Sequence, residues 1–379
     1  NFDLTRLCNG DNAAFCSEVF SQFCPIHACV MVARAREILL LIVLGTLSLV
    51  LVSHRLLYGS APLLVGRALV GGPGKVGRPS MLEALRPWFE ARGGYDAGLL
   101  EARTVSGVRG LYARKRIPEG EVLLAAPPEA WLSAETLLPP ALTTSTAEEP
   151  ADLRLTAGLA LLLAGAGITG LEGTMSAGPS EWDPYTRACL PSRAELLDAL
   201  PLTWPAERLA RATWAGPGLE TTLAERRKRL RSLLEGGVWT GLEKDVNFDD
   251  LTYAYGLVTS RSIFVGDWLP VPKLAIVPIV DLVNHAPASS RVWPRANCRF
   301  APMVTRETRP VDERLAVLLE PRNERLRAVC RADGMGILAA RSIESGEEVF
   351  VQYGEFDDAH LFIEYGFRCR DNPYGIGSL

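Results

Sequence analysis

The apolar positions form short runs near both ends of residues 81–379 and a helical pattern between them. Residues 110–122 (GLYARKRIPEGEV) predict a strand, a tight turn and a second strand, because Pro118 presets φ and Gly120 follows where a turn favours glycine. Residues 336–349 (GILAARSIESGEEV) repeat the glycine, the alanine, a basic residue, the isoleucine and the Gly-Glu pair at matching positions. The alternative is a chance recurrence of common hairpin residues. Both ends are predicted to be short β elements.

The middle of the chain has a helical pattern. Leu153–Ala164 is rich in leucine and alanine and contains no proline, which predicts a helix. Glu207–Leu234 spaces leucines among arginines and glutamates, and the Gly-Pro-Gly run at 216–218 divides it into two predicted helices. Short runs separated by proline, glycine and asparagine return from Phe248. The pattern predicts an α+β fold rather than an alternating parallel-sheet fold.

These patterns divide the chain into four predicted parts. Residues 1–80 form a targeting leader or membrane anchor with a linker. Residues 81–150 are the N-terminal half of an α+β domain, and residues 248–379 are its C-terminal half. Residues 151–247 are a helical insert between the two halves.

The N-terminal part is interpreted as a targeting or anchor segment rather than as part of the folded domain. Arg34 and Arg36 precede Ile38–Val52, an unbroken run of 15 apolar or small residues, as in a signal peptide or a signal anchor. A helix of that length spans about 22 Å, short of a hydrocarbon core of ~30 Å, so membrane association through it needs help from flanking residues. Residues 53–80 are basic and contain no acidic residue, which resembles a bipartite plastid-targeting leader. A secretory-pathway membrane anchor is the competing prediction.

Composition excludes several classes. The chain has 379 residues, 48% of them hydrophobic, and a formal net charge of −4, which excludes a wholly disordered chain and argues against nucleic acid as a partner. Its eight cysteines contain no C-x-x-C pair, and His285 has no histidine or cysteine at a ligand spacing, so no metal site is predicted. The phosphate loop, the nucleophile elbow and the H-E-x-x-H motif are missing from the sequence.

The residues suited to chemistry lie in the last third of the chain. Residues 274–280 predict an apolar strand that runs directly into Asp281, Asn284 and His285. Polar groups at the end of a buried strand must be hydrogen-bonded, and they can present amides to a ligand. The simpler explanation is a helix cap by Asp281 followed by a turn.

Three more residues stand at the ends of predicted elements. Tyr353 and Tyr365 each precede a glycine, at the end of a strand and of a short helix-like run. Arg261 follows an apolar helical run. The alternative explanation is structural: tyrosines in such places commonly cap a hydrophobic core, and a single arginine is usually a surface charge.

The order of these motifs resembles that of the split SET-domain protein methyltransferases, the class that includes the plant Rubisco large-subunit lysine methyltransferase and the histidine methyltransferase of actin. The resemblance extends from about Trp88 to Phe367. It is carried, in chain order, by residues 107–113 and 117–121, 181–191, 260–261, 281–285, 346–354 and 364–367.

The resemblance implies S-adenosylmethionine as the cofactor and assigns roles to residues. The cofactor is expected against the backbone of Gly107, Val108 and Arg109. Arg261 is expected to pair with its carboxylate, a contact that suits a guanidinium. The other implied cofactor-binding residues are Asp281, Asn284, His285, Tyr365, Gly366 and Phe367. Tyr353 is the implied catalytic residue, placed where the methyl group meets the acceptor nitrogen.

The implied activity is methyl transfer to a non-histone protein, with lysine favoured as acceptor. Phe264 comes one place later than in the lysine-type Ser-Arg-x-Phe run, so a protein histidine methyltransferase is the runner-up. The sequence also leaves open a non-catalytic SET scaffold that binds cofactor or partners, and a membrane-tethered structural protein.

Three departures from the pattern bear on this interpretation. Gly107 stands where relatives often carry an acidic residue, and residues 355–360 (EFDDAH) replace a Ser-Asn-Ala-Glu-like run. Relatives also continue into a helical C-terminal domain, whereas this sequence runs twelve residues past Phe367. Substrate identity is therefore the least constrained expectation.

Overall fold

The computed structural model describes residues 80–165, 180–216, 218–265, 273–287, 295–303, 326–327, 334–369 and 372–375. All of them belong to the unit Leu63–Leu379. The predicted leader, with Ile38–Val52, lies outside the described residues except for Ser80. Within the described ranges, no helix combines the length and the apolar character needed to cross a bilayer.

After one helix, the first part of the chain consists mainly of strands, the middle part of helices, and the last part again mainly of strands. The first part contains α1 Met81–Ala91, β1 Tyr95–Asp96, β2 Leu100–Val105, β3 Val108–Ala113, β4 Val122–Ala126 and β5 Leu132–Ser133. The middle contains α2 Ala134–Leu137, α3 Pro140–Ser145, α4 Ala151–Gly165, α5 Asp183–Cys189, α6 Arg193–Ala199, α7 Ala206–Leu209, α8 Leu219–Ser232 and α9 Phe248–Arg261. The last part contains β6 Ile263–Val265, β7 Lys273–Ile276, β8 Asn284–His285, β9 Cys298–Pro302, β10 Met335–Ala339, β11 Phe350–Val351 and α10 Asp358–Tyr365.

The strands form several small sheets rather than one large sheet. A four-stranded sheet has the order β1-β4-β10-β9, and a three-stranded sheet has the order β5-β7-β6. β2 and β3 form a hairpin, and β8 pairs with β11 in parallel. Strands from the two ends of the chain pair directly, with Leu124 of β4 opposite Ile337 of β10. The predicted α+β class is confirmed, and the helical middle part leaves from and returns to these sheets.

The two copies of the repeated motif pair with each other. Ile117 and Ile343 hold matching places in the two copies, and each donates its backbone N–H to the other's carbonyl at 2.9 Å. Ala113 donates to the carbonyl of Glu347, and its counterpart Ala339 donates to that of Glu121, both at 2.9 Å. The repeat is therefore a local two-fold arrangement that brings both halves of the domain together.

The predicted helices agree with the structure in part. The predicted helix Leu153–Ala164 is α4, and the break at residues 216–218 precedes α8. The first of the two helices predicted between 207 and 234 is only the short α7, because the chain then enters a 3₁₀ turn whose Trp214 ring packs 4.9 Å from Phe362. α9 is preceded by its N-cap residue Asn247, whose side chain accepts from the backbone N–H of Asp250.

The predicted strand 274–280 is shorter than expected. β7 ends at Ile276, since Pro278 has no N–H to donate to a ladder and Ile279 adopts φ 72° and ψ −42°. Positive φ is a strained conformation for a β-branched residue. The chain turns sharply into the 3₁₀ turn Val280–Leu282, and Asp281 donates its N–H to the carbonyl of Val277 at 3.0 Å. This bend places Asp281 inside the domain.

Candidate active site

The ends of several secondary-structure elements meet around a cleft of about 900 Å³. Arg261 comes from the end of α9, Asp281 from the 3₁₀ turn, Tyr353 from the segment after β11 and Tyr365 from the end of α10. All four are predicted site residues, and they come from four different segments of the chain. Phe264 of β6 also lines the cleft and is 67% exposed.

A buried ion pair lies in one wall of the cleft. Nη1 of Arg261 donates to Oδ2 of Asp281 at 2.6 Å, and these side chains are 8% and 0% exposed. Burial alone would lower the pKa of the Arg261 guanidinium, but the Asp281 carboxylate outweighs burial and raises it. The hydroxyl of Tyr185 donates to the same Oδ2 at 2.6 Å. Oδ1 of Asp281 is buried and has no hydrogen-bond partner among the described residues.

Arg109 contributes both its backbone and its side chain. Its carbonyl accepts from Nδ2 of Asn284 at 2.9 Å. Its guanidinium donates to the last carbonyls of α5, at Ala188 (3.3 Å) and Cys189. Burial, and then the positive charge of Arg261, lower the pKa of Arg109. The side chain therefore ties β3 to the helical part.

Asn284 is held by a carboxylate on the neighbouring strand segment. Its Nδ2 donates to Oε1 of Glu348 at 2.7 Å, and the hydroxyl of Tyr112 donates to Oε2 at 2.9 Å. Burial and the hydrogen bond to Glu348 raise the pKa of Tyr112 to about 12. Gly110 leaves room for this network, because a Cβ there would lie 2.1 Å from Oε1 of Glu348.

His285 supports the predicted catalytic tyrosine. The backbone N–H of Tyr353 donates to Nδ1 of His285 at 3.1 Å, and the two rings are 5.1 Å apart. Burial lowers the pKa of His285 to about 4, so the ring is neutral at pH 7 with its proton on Nε2. The Tyr353 hydroxyl donates to the carbonyl of Val283 at 2.8 Å. Burial, and then the neighbouring Tyr365, raise the pKa of Tyr353, so the phenol stays protonated.

The residues at the end of α10 complete an aromatic cluster. The rings of Tyr365 and Tyr353 are 5.0 Å apart, and Phe367 lies 6.0 Å from Tyr365 and 5.9 Å from His285. Gly366 ends the helix at φ 77°, and a Cβ there would lie 2.6 Å from the carbonyl oxygen of Ala199.

Gly107 and Val108 are placed differently from the other predicted site residues. Gly107 is exposed at the tip of the β2–β3 hairpin, where Ser106 and Gly107 have φ 53° and 84°. Val108 pairs with Val105 at the first position after the turn. Neither residue is among the described residues that line the cleft, and the same holds for Arg109, Asn284, His285, Gly366 and Phe367. Of the first motif, Arg109 is the predicted residue that contacts another predicted site residue, because its carbonyl accepts from Asn284.

Sequence reasoning misses two residues of the site. Tyr185 bonds Asp281 from 96 positions earlier in the chain, and no local pattern connects the two. Glu348 belongs to the repeated strand-turn-strand motif, and a second acidic residue beside a buried strand is the signal that could have identified it. Across the described residues, no group of three His, Cys, Asp or Glu side chains is placed to hold a metal ion.

Comparison with known proteins defines the class of the fold. No protein-family profile matches the chain. A crystal structure of the SET domain of LSMT bound to lysine and AdoHcy superposes with a TM-score of 0.51 at 20% identity, covering 76% of this chain and 57% of that one. A structure of Rubisco LSMT bound to AdoMet gives 0.50 at 21% identity, covering 78% and 57%. The fold is a SET fold, and the predicted resemblance is confirmed at that level.

A curated relative supports the same class from sequence. SET domain-containing protein 4 of Homo sapiens is 24% identical in an alignment over 309 residues, and the match covers 76% of this chain and 59% of that protein. This chain thus spans somewhat less than three fifths of the length of the proteins that it matches.

Proposed function

We propose that this protein is a protein methyltransferase that uses S-adenosylmethionine, with a lysine side chain of a non-histone protein as the favoured acceptor. The observation that carries the proposal is the meeting of Arg261, Asp281, Tyr353 and Tyr365 around one cleft within a SET fold. The charged pair, Arg261 and Asp281, suits binding of the cofactor. The aromatic pair, Tyr353 and Tyr365, suits alignment of the methyl group with its acceptor.

The charged pair fits the amino-acid end of the cofactor. A guanidinium has five N–H donors, and Asp281 accepts one of them from Arg261, which leaves donors for a carboxylate. The unpartnered Oδ1 of Asp281 is a buried acceptor suited to an ammonium group. Asn284 and the residues around His285 and Phe367 would hold the rest of the molecule. The cofactor, when bound, supplies an electrophilic methyl group on a sulfonium sulfur.

The aromatic pair suits alignment rather than proton abstraction. Methyl transfer is an in-line displacement, so the main task of the protein is to hold the donor and acceptor in line. The Tyr353 hydroxyl and the Val283 carbonyl are two neutral oxygens, 2.8 Å apart, that can contact polarised methyl hydrogens. The raised pKa keeps the Tyr353 phenol protonated at neutral pH, so it has no phenolate with which to take a proton from the acceptor.

A lysine acceptor must lose its proton before it reacts. Its free pKa is about 10.4, and burial in a desolvated channel lowers that value. The rings of Tyr353 and Tyr365 are an apolar wall for the alkyl chain, and their faces attract a methylated ammonium. The SET domain of LSMT, which has the same fold, was solved with lysine bound, and this supports lysine as the acceptor.

Label transfer from S-adenosylmethionine tests the proposal. The full chain would be incubated with radiolabelled S-adenosylmethionine and a lysate that includes plastid stroma, because residues 53–80 predict a plastid leader. Labelled proteins would then be mapped by mass spectrometry. We expect label on a lysine side chain. Label on histidine would replace lysine as the acceptor, and cofactor binding without any transfer would identify a scaffold.

A further inference from the structure

We infer that Tyr185, on a helix of the middle part, is a positioning residue that holds Asp281, and through it Arg261, for the amino-acid end of S-adenosylmethionine. The inference rests on the proposed function and adds a residue that the sequence did not predict.

The shared carboxylate oxygen is the first observation. Oδ2 of Asp281 accepts from the Tyr185 hydroxyl and from Nη1 of Arg261, each at 2.6 Å. All three side chains are buried, so water does not replace a lost donor. Because both donors hold the same oxygen, the carboxylate is fixed with Oδ1 unpartnered among the described residues. The Tyr185 hydroxyl thus determines which oxygen remains for a ligand.

The second observation is that Tyr185 stands on an anchored helix. Its ring stacks on Trp88 of α1 at 6.3 Å with an interplanar angle of 11°. Nε1 of Trp88 donates to the carbonyl of Glu181 at 2.8 Å, just before α5. Arg92 pairs with the Glu181 carboxylate at 2.7 Å and lies 4.1 Å from the Trp182 ring. These contacts hold the start of α5 against α1, so they fix the position of the Tyr185 side chain that donates to Asp281.

The third observation concerns a competing arginine. Arg109 is a second, half-buried guanidinium, and the charges of Arg261 and Asp281 both act on it. Arg109 is already occupied by the carbonyls of Ala188 and Cys189 at the end of α5. The same helix therefore contacts both guanidinium sites: its last carbonyls accept from Arg109, and its Tyr185 donates to the carboxylate that also accepts from Arg261.

The test compares two probes that differ only at the amino-acid end. Calorimetry on the full chain would measure binding of S-adenosylhomocysteine and of 5′-methylthioadenosine, which lacks the amino-acid group. For Tyr185→Phe, which removes one hydroxyl and keeps the ring, we expect about tenfold weaker binding of S-adenosylhomocysteine and unchanged binding of 5′-methylthioadenosine. Equal weakening of both probes, or of neither, would overturn the inference. A wild-type chain that binds neither probe would instead overturn the proposed function, and the inference with it.

Two further variants separate positioning from general loss of structure. Tyr253→Phe is the matched control, since Tyr253 is equally buried but its hydroxyl donates to the carbonyl of Pro191 at 2.6 Å. It should leave both affinities unchanged. In an Asp281→Asn background, Tyr185→Phe should change the affinity for S-adenosylhomocysteine by less than twofold, because its effect passes through the carboxylate. A further tenfold loss there would show that Tyr185 acts by another route.

Discussion

Acidification from pH 7 to pH 5 should destabilise the fold through His285. Burial lowers its pKa from 6.5 to about 4, and its Nδ1 accepts the backbone N–H of Tyr353. Protonation would remove this acceptor and place a charge among the rings of Tyr353 and Phe367. The ring therefore stays neutral in the folded protein and gains a proton in the unfolded chain.

The sign and size follow from proton linkage. A group whose pKa is lower in the folded state adds stability above its unfolded pKa and loses it as the pH falls. Between pH 7 and pH 5, a change in pKa from 6.5 to about 4 lowers the free energy of unfolding by about 2 kcal/mol. The loss should be small above pH 6.5 and should level off near pH 4.

Urea unfolding of the full chain at several pH values measures this loss. His285→Asn is the matched variant, because asparagine keeps an acceptor oxygen near the place of Nδ1 and does not titrate. The variant should be less stable at pH 7, since it loses ring packing, but its stability should be nearly constant between pH 7 and pH 5. An equal pH dependence in both proteins would refute the reasoning.

Two further substitutions test the backbone and the polar network. Gly366→Ala should lower the free energy of unfolding by about 2 kcal/mol more than Gly120→Ala. Both glycines have φ 77°, but only at Gly366 would a Cβ lie against a backbone oxygen, at 2.6 Å. Equal losses in urea unfolding would contradict this. Asn284→Asp should lower the free energy of unfolding by about 2–4 kcal/mol, since it places a carboxylate against Glu348. The control Asn247→Asp should lower it by under ~0.5 kcal/mol, because aspartate is an equally good N-cap. Comparable costs for these two variants would argue against the network at Asn284.

Local patterns predicted several of the helices, among them α4 and α8, and the residues that end α9 and α10. α4 has the leucine and alanine composition of a helix, and α10 ends at a glycine with positive φ, as its sequence indicates. Arg261 is the last residue of α9, where the end of the apolar run placed it. These features depend on neighbours within a few residues, so one sequence is sufficient to predict them.

Contacts between distant segments could not be predicted in the same way. The mutual pairing of Ile117 with Ile343 depends on how the chain returns after the helical part, which no local pattern specifies. The bond from Tyr185 to Asp281 is of the same kind. The early end of β7 was foreseeable in part, since Pro278 weakens a strand, but the positive φ of Ile279 depends on tertiary packing that overrides its preference.

The most direct measurement of the central claim compares the wild-type chain with Tyr353→Phe in two assays. One is calorimetric binding of S-adenosylhomocysteine, and the other is transfer of label from S-adenosylmethionine to protein. Tyr353→Phe removes the hydroxyl that donates to Val283 and keeps the ring beside Tyr365. We predict binding within about threefold of wild type and a loss of transfer of at least ~100-fold. Equal transfer by both proteins, or a wild-type chain that does not bind S-adenosylhomocysteine, would contradict the account.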